Sequence, residues 1–410
     1  MKKNILAALL CTAATMAAAP ASSEGIYLNS LLDTYEFHDI DPDFWTHQGQ
    51  RAETIVESGE YLGSRAAEAL HNKLGIGGAT PESRGLFLAA AGLANWQFQQ
   101  ANAIVFGHEY LHFQYRDYFG YPDHYYLSDD GEEVDKGEGY LSALFTGHVG
   151  GTAFNVGPGN GKDPEKEILV KSAGLNWQMN YSEDWVRRNL RSGGNPLFSF
   201  PGYLYNRTKM FGYAMADDGG DPGSLEGDVE YMAHYYRDVM GIDADLDDIR
   251  LYSGLALLAS PATWNVVSSM GEYITTGNLT MADPFFDAGG ARFTWDVPTY
   301  LNAENMTLAP IAYVEVDGYV FGAGVELPVV GEGHHEYTMT AGRKWDHVSF
   351  QAEHSFAPDG GHTELQLGYD YNDHLGLELR HVQSSGESYR ADRNNLYGEA
   401  VTIAGVNLRF

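Results

Sequence analysis

Cysteine is all but missing from this chain. Among 410 residues only Cys11 occurs, and it lies in an N-terminal stretch built like a secretory leader. Lys2 and Lys3 form a charged start, residues 5–16 a short apolar core, and Ala19-Pro20-Ala21 a small-residue cleavage site. The core is too short to serve as a membrane span. Removal of residues 1–21 leaves a chain with no thiol, which excludes disulfides, thiolate ligands and a cysteine nucleophile. Any metal would have to be held by His, Asp or Glu. Positive charge is scarce as well: 25 Lys and Arg against 56 Asp and Glu give a formal charge of -31. Nothing offsets phosphate repulsion, so nucleic acid is excluded as a partner. Strongly hydrophobic runs are the third absence. Residues 86–107, 139–161 and 251–270 carry no charged side chain, but Asn, Gln, Ser, Gly or His dilutes each of them. They read as buried helices of a core rather than as spans.

What is present is His108-Glu109-Tyr110-Leu111-His112, set in an apolar run from Val105 to Phe113. Residues four apart share one face of a helix, so His108 and His112 can direct two imidazoles at one cation. Glu109 stands one residue round the helix, within reach of a water at the metal without being a ligand. A carboxylate between two histidines in an apolar helix is costly to bury unless a positive charge is near, and a divalent cation supplies one. These residues resemble the zincin metallopeptidases. Val105 before Gly107-His108 and the uncharged Tyr110, Leu111 and Phe113 fit the extended signature, while Gln114 departs from it. The resemblance implies Zn2+ held by the neutral imidazoles of His108 and His112, with Glu109 as the general base. It implies a third ligand on a later helix. Glu138 fits that place best, with His148 and Glu183 as competitors, and Tyr231, His234 and Tyr235 are candidates to stabilise the oxyanion. Asn176 is a candidate to orient a ligand or hold substrate backbone.

The rest of the first two thirds reads as helical. Apolar spacing predicts a helix over residues 50–74 stopped by Gly75, and another over 83–118. Further helices are expected from Glu138 towards His148, from Glu165, over 183–190 with Ser182 as N-cap, and over 228–240. Near Gly289 the texture changes to period-two alternation that continues to the end. Leu365, Leu367, Tyr369 and Tyr371 fall on one face, as do Leu375, Leu377 and Leu379, with polar residues opposite. Turn signals at Asp317-Gly318, 331–333, 342–344, 359–361, Asn372-Asp373 and 384–386 divide this region into about eight strands, starting at Phe293. Pro298 and Pro310 sit awkwardly in the first two. The ending Val406-Asn407-Leu408-Arg409-Phe410 resembles the C-terminal strand of bacterial outer-membrane β-barrels, which implies alternate residues facing lipid. A soluble β-sandwich or small soluble barrel is the competing reading.

The expectation is therefore an α+β protein: a leader over 1–21, a mainly helical metallopeptidase-like domain over 22–288, and an antiparallel β-barrel of about eight strands over 289–410. The function it implies is zinc-dependent hydrolysis of peptide bonds by an exported enzyme anchored in the outer membrane, with a peptide or envelope protein as substrate. Two other classes compete. Glu68-x-x-His71 and Glu109-x-x-His112 supply the two Glu-x-x-His motifs of a di-iron helical bundle, which also requires two further inward carboxylates, and no pair stands out. A non-enzymatic barrel with a helical partner-binding module is the other.

Overall fold

The computed structural model describes residues 26–32, 49–119, 127–129, 132–134, 136–146, 150–151, 163–192, 194–216, 227–372, 375–386, 388–390 and 400–408. The leader, His148, Phe410 and the side chain of Glu138 lie outside the described residues. After β1 (Ile26–Leu32) come α1 (Gly49–Lys73), α2 (Pro81–Asn102), a π-helical segment (Ala103–His108) and α3 (Glu109–Tyr118). A small sheet of β2 (Leu127–Asp129), β3 (Glu132–Val134) and β4 (Gly150–Gly151) flanks α4 (Lys136–Thr146). Then follow α5 (Pro164–Ser192), α6 (Phe200–Ala216), α7 (Asp228–His234), α8 (Leu246–Leu258) and α9 (Pro261–Thr276).

Local chemistry sets several of these ends. Thr80 caps α2 through the Ser83 amide, with Pro81 in the first turn, where its missing N–H is harmless. Asp245 and Asp248 form a reciprocal capping box at α8, and Gly277 closes α9 at φ 83°. The break expected at Ser182 does not occur. α5 runs unbroken from Pro164 to Ser192, and the Ser182 hydroxyl donates to the Met179 carbonyl at 2.7 Å within it. A serine can satisfy itself on its own helix as readily as it caps one, and burial of α5 on nearly every side favours continuity.

The second half contributes β5 (Phe286–Ala288), β6 (Ala291–Asp296), β7 (Thr299–Leu301), β8 (Asn305–Leu308), β9 (Ile311–Val316) and β10 (Tyr319–Gly331). These are followed by β11 (Glu336–Trp345), β12 (Val348–Ala357), β13 (Gly360–Asn372), β14 (Leu375–Gly386) and β15 (Val401–Leu408). With β1 they make a 12-stranded antiparallel sheet of order β1-β15-β14-β13-β12-β11-β10-β9-β6-β5, β7 and β8 branching from β10. The Asp317-Gly318 signal is a hairpin turn with both residues at positive φ, 52° and 80°. Pro298 and Pro310 fall between strands, where a missing N–H breaks no ladder.

The expected closed barrel of about eight strands is not formed. The sheet is open, with β1 and β5 as its edges. α5 packs against its inner face, and a closed eight-stranded barrel has room only for side chains. Helices stand across the gap instead: α1 lies beside β1, α2 beside α1, and α9 beside both α2 and β6.

The polarity of the sheet is inverted relative to a water-soluble one. Glu326, Glu336, Thr338, Gln351, Glu353, Ser355, His362, Glu364 and Ser384 are buried on the inner face. Phe321, Tyr337, Met339, Phe356, Leu365, Leu367, Leu377 and Leu379 are exposed on the outer one. Some inner charges are paired with helix residues, while Glu364 pairs with Arg380 of β14 at 2.8 Å. Glu183 of α5 accepts hydrogen bonds from Arg187 (2.5 Å), Arg390 (2.9 Å) and the Tyr300 hydroxyl (2.6 Å). Glu353 of β12 meets both arginines, at 2.7 and 2.9 Å. Arg207 of α6 and Asp296 of β6 form a second pair, bidentate at 2.5 and 3.3 Å, with no exposure on either side chain. Apolar clusters also join helices to strands, as where Trp185, Phe198 and Tyr273 pack with Ile311 and Tyr313.

Candidate metal centre

His108 closes the π-helical segment and Glu109 opens α3. A π turn inserts one residue into an α-helix and is common at functional sites. Two glycines let this segment lie close against α5. A Cβ on Gly107 would come within 2.0 Å of the Trp177 ring, and one on Gly174 within 2.5 Å of His108 Nδ1. The imidazole of His108 therefore seats directly over the α5 backbone.

The two rings stand nearly perpendicular, 86° apart in plane, with centroids 4.7 Å apart. His112 Nδ1 lies 2.6 Å from the Val170 carbonyl, which can only accept, so that nitrogen carries the proton. His108 Nδ1 lies 3.1 Å from Gln178 Oε1, again an acceptor. In their neutral forms both rings thus present bare Nε2 lone pairs. Those atoms face each other at 3.2 Å, and Asp228 Oδ2 from the first residue of α7 meets them at 3.0 and 3.2 Å. His108, His112 and Asp228 are the one group with metal-binding geometry among the described residues. Three donors this close, two of them lone pairs with no hydrogen between, repel unless a proton or a cation sits among them. Tetrahedral zinc at ~2.0–2.1 Å from each ligand places its donors roughly 3.3 Å apart, so the donor set fits such an ion. Each Nδ1–H bound to a protein acceptor is the usual arrangement behind metal-ligating histidines.

Electrostatics show the pull between the carboxylate and the rings. Burial opposes the charged forms of both Asp228 and His112, yet their mutual attraction prevails. It holds the Asp228 carboxyl well below the usual range and raises the His112 imidazole above its own, with Glu109 adding to the second effect. Glu109 is itself buried, and its charge is also felt by Tyr205 and Lys209 of α6. Burial depresses Lys209 to about 8, against the pull of Glu109 and Asp228. Its ammonium stands 4.0 Å from the centroid of the Tyr213 ring, beside the wall of the site. Lys171 of α5 lies 3.8 Å from Asp228 Oδ1 and 4.9 Å from the Tyr231 ring.

No known protein family, curated protein or solved structure matches this chain.

Of the residues singled out in the sequence, His108, Glu109 and His112 are brought together. Glu183 is not among them: it belongs to the ion cluster against the sheet. Asn176 is structural, since its amide exchanges two hydrogen bonds with the Leu301 backbone, at 2.7 and 2.9 Å, and docks β7 onto α5. Tyr231 and Tyr235 stack with each other on α7 and its π-helical extension, with centroids 4.8 Å apart, while His234 pairs outward with Asp238. The second Glu-x-x-His is remote from the first. Glu68 is tied to Arg65 at 2.8 Å, and His71 packs on Phe87 and Tyr273, so that motif contributes nothing to a two-iron site. Asp228, Gln178, Val170 and Lys209 were not legible as site residues. Asp228 is one acid among many at helix starts, and nothing local distinguishes it.

Proposed function

We propose that this chain is a zinc-dependent hydrolase of peptide bonds, with His108, His112 and Asp228 as the metal ligands. Asp228 takes the place for which Glu138 was expected. One observation carries the reading: the Val170 carbonyl fixes the His112 proton on Nδ1, so that its Nε2 lone pair converges with those of His108 and a carboxylate. Zinc in that position would polarise a substrate carbonyl and bring the pKa of water down to about 7. Glu109, buried beside the ligands, takes the proton of the attacking water and passes it to the leaving amine. Lys209 provides a cation beside the site for the charge that develops on the carbonyl oxygen. The substrate is a peptide or an envelope protein.

The same proposal places the enzyme in the bacterial outer membrane, held there by its sheet. The outer face of β9–β14 is apolar and the inner face carries the charges, the arrangement of membrane β-barrels. Arg343 lies against Tyr319 and Trp345 at one end of the strands, at 4.1 and 5.0 Å, near Tyr369 and Tyr371. Aromatic rings with a snorkelling cation suit the boundary between lipid and water.

Metal analysis of the purified chain tests the first part. About one zinc per chain, lost in Asp228→Ala and kept in Glu109→Gln, is the expected result. Zinc retained by Asp228→Ala would remove the ligand assignment.

A further inference from the structure

The inverted polarity does not stop at the sheet. On α2, Leu86 is 74% exposed and Leu93 61%, while Arg84, Asn95, Gln99 and Asn102 of the same helix are buried. On α8, Leu251, Leu255 and Leu258 face outward and Ser253 inward. On α9, Trp264 and Val267 are more than half exposed, and Thr263, Ser269 and Tyr273 are buried. Arg84 shows the pattern at its sharpest. Its guanidinium turns into the protein to reach the Thr275 carbonyl at 2.7 Å, while Leu86 and Leu93 stand outside and Leu88 is buried.

These helix faces are continuous with the apolar face of the sheet. Trp295 of β6 stacks on Phe286 of β5 and donates its indole N–H to the Ala259 carbonyl, between α8 and α9, at 2.8 Å. Trp264 of α9 donates to Leu258 of α8, also at 2.8 Å. α9 then adjoins α2, α2 adjoins α1, and α1 adjoins β1. The apolar surface thus runs from β5 and β6 over α8 and α9 to α2. Polar groups bound it where α8 begins (Asp245, Asp247, Asp248) and where α9 ends (Glu272, Thr275, Thr276).

We infer that the outer faces of α2, α8 and α9 contact lipid acyl chains, and that these helices complete the membrane-facing wall which the sheet leaves open. A protein partner would cover one patch. Here the apolar surface continues over strands and helices of different orientation, and charged and hydrogen-bonding side chains are buried behind it beside the apolar clusters, which matches a hydrocarbon surround. No described helix is long and apolar enough to cross a membrane by itself. Only one face of each meets the outside, so polar residues on the other face dilute its hydropathy. The inference rests on the membrane location proposed above and deepens it. The metal centre would sit in the embedded body rather than on a soluble domain tethered to a barrel.

The near absence of cysteine makes the test direct. In the full chain carrying Cys11→Ser, single cysteines are introduced at sheet positions (Met339→Cys, Leu367→Cys), helix positions (Leu93→Cys, Leu255→Cys, Val267→Cys) and the exposed control Asp247→Cys. Each purified variant is labelled with a thiol-reactive fluorophore and reconstituted into phosphatidylethanolamine/phosphatidylglycerol vesicles whose acyl chains carry a nitroxide quencher. Several-fold stronger quenching at both sheet and helix positions than at Asp247→Cys is the expected result. Quenching confined to the sheet overturns the inference and leaves the membrane location standing. Quenching at neither set overturns both. Quenching at the helices alone upholds the helical surface and removes the sheet as anchor.

Discussion

At the scale of the residue, the centre depends on where two protons sit. Val170 and Gln178 keep them on Nδ1 of His112 and His108, which leaves the Nε2 atoms free to donate to a cation. Glu109→Gln removes the base but leaves the ligands, so bound zinc should persist while hydrolysis falls by about 10²–10⁴-fold, measured as kcat on a peptide substrate. Gly174→Ala should lower both zinc content and stability, because the new methyl group meets the His108 ring. The pH dependence has a definite sign. Asp228 raises the His112 pKa above its ordinary value, so protons should compete with metal from a higher pH than an ordinary imidazole would allow, about 6.5. Zinc affinity should therefore weaken as pH is lowered through that raised value, and a titration with a metal-sensitive dye would read it. An affinity flat down to pH ~5 would contradict the assignment.

At the scale of the element, α5 and α6 are the connectors. α5 offers its first half to the candidate metal centre through Val170, Gly174 and Gln178, and its second half to the sheet through Glu183 and Arg187. α6 carries Lys209 towards the site and Arg207 towards β6. Asp296→Ala would strand the fully buried Arg207 charge and should cost about 3–5 kcal/mol. Asp247→Ala removes an exposed partner of Arg250 and should cost less than about 1 kcal/mol. Chemical unfolding of the two variants side by side checks the contrast. The helices and the later strands were readable because their apolar spacing is local. The join at Ser182 was not: a hydroxyl that could cap a new helix or bond back within the old one has the same sequence either way.

At the scale of the whole molecule, the inversion of polarity gives the sharpest test. On a water-facing surface Leu367→Arg would be neutral or helpful to solubility. On a lipid-facing strand it should destabilise the folded protein in bilayers by about 2–4 kcal/mol, read from unfolding in vesicles.

The sequence alone determined what repeats along the chain. The four-residue spacing of His108 and His112 put both rings on one helical face, and alternation after residue 289 separated two unlike faces of a sheet. It could not set Asp228 beside them, because Asp228 lies 116 residues from His112, and only folding brings the two together. Nor could alternation say how the strands end up arranged, since period two is the same for a closed barrel and for an open sheet. That was decided by α5, whose buried charges need partners on the inner face, and by the helices that stand where further strands would have closed the ring.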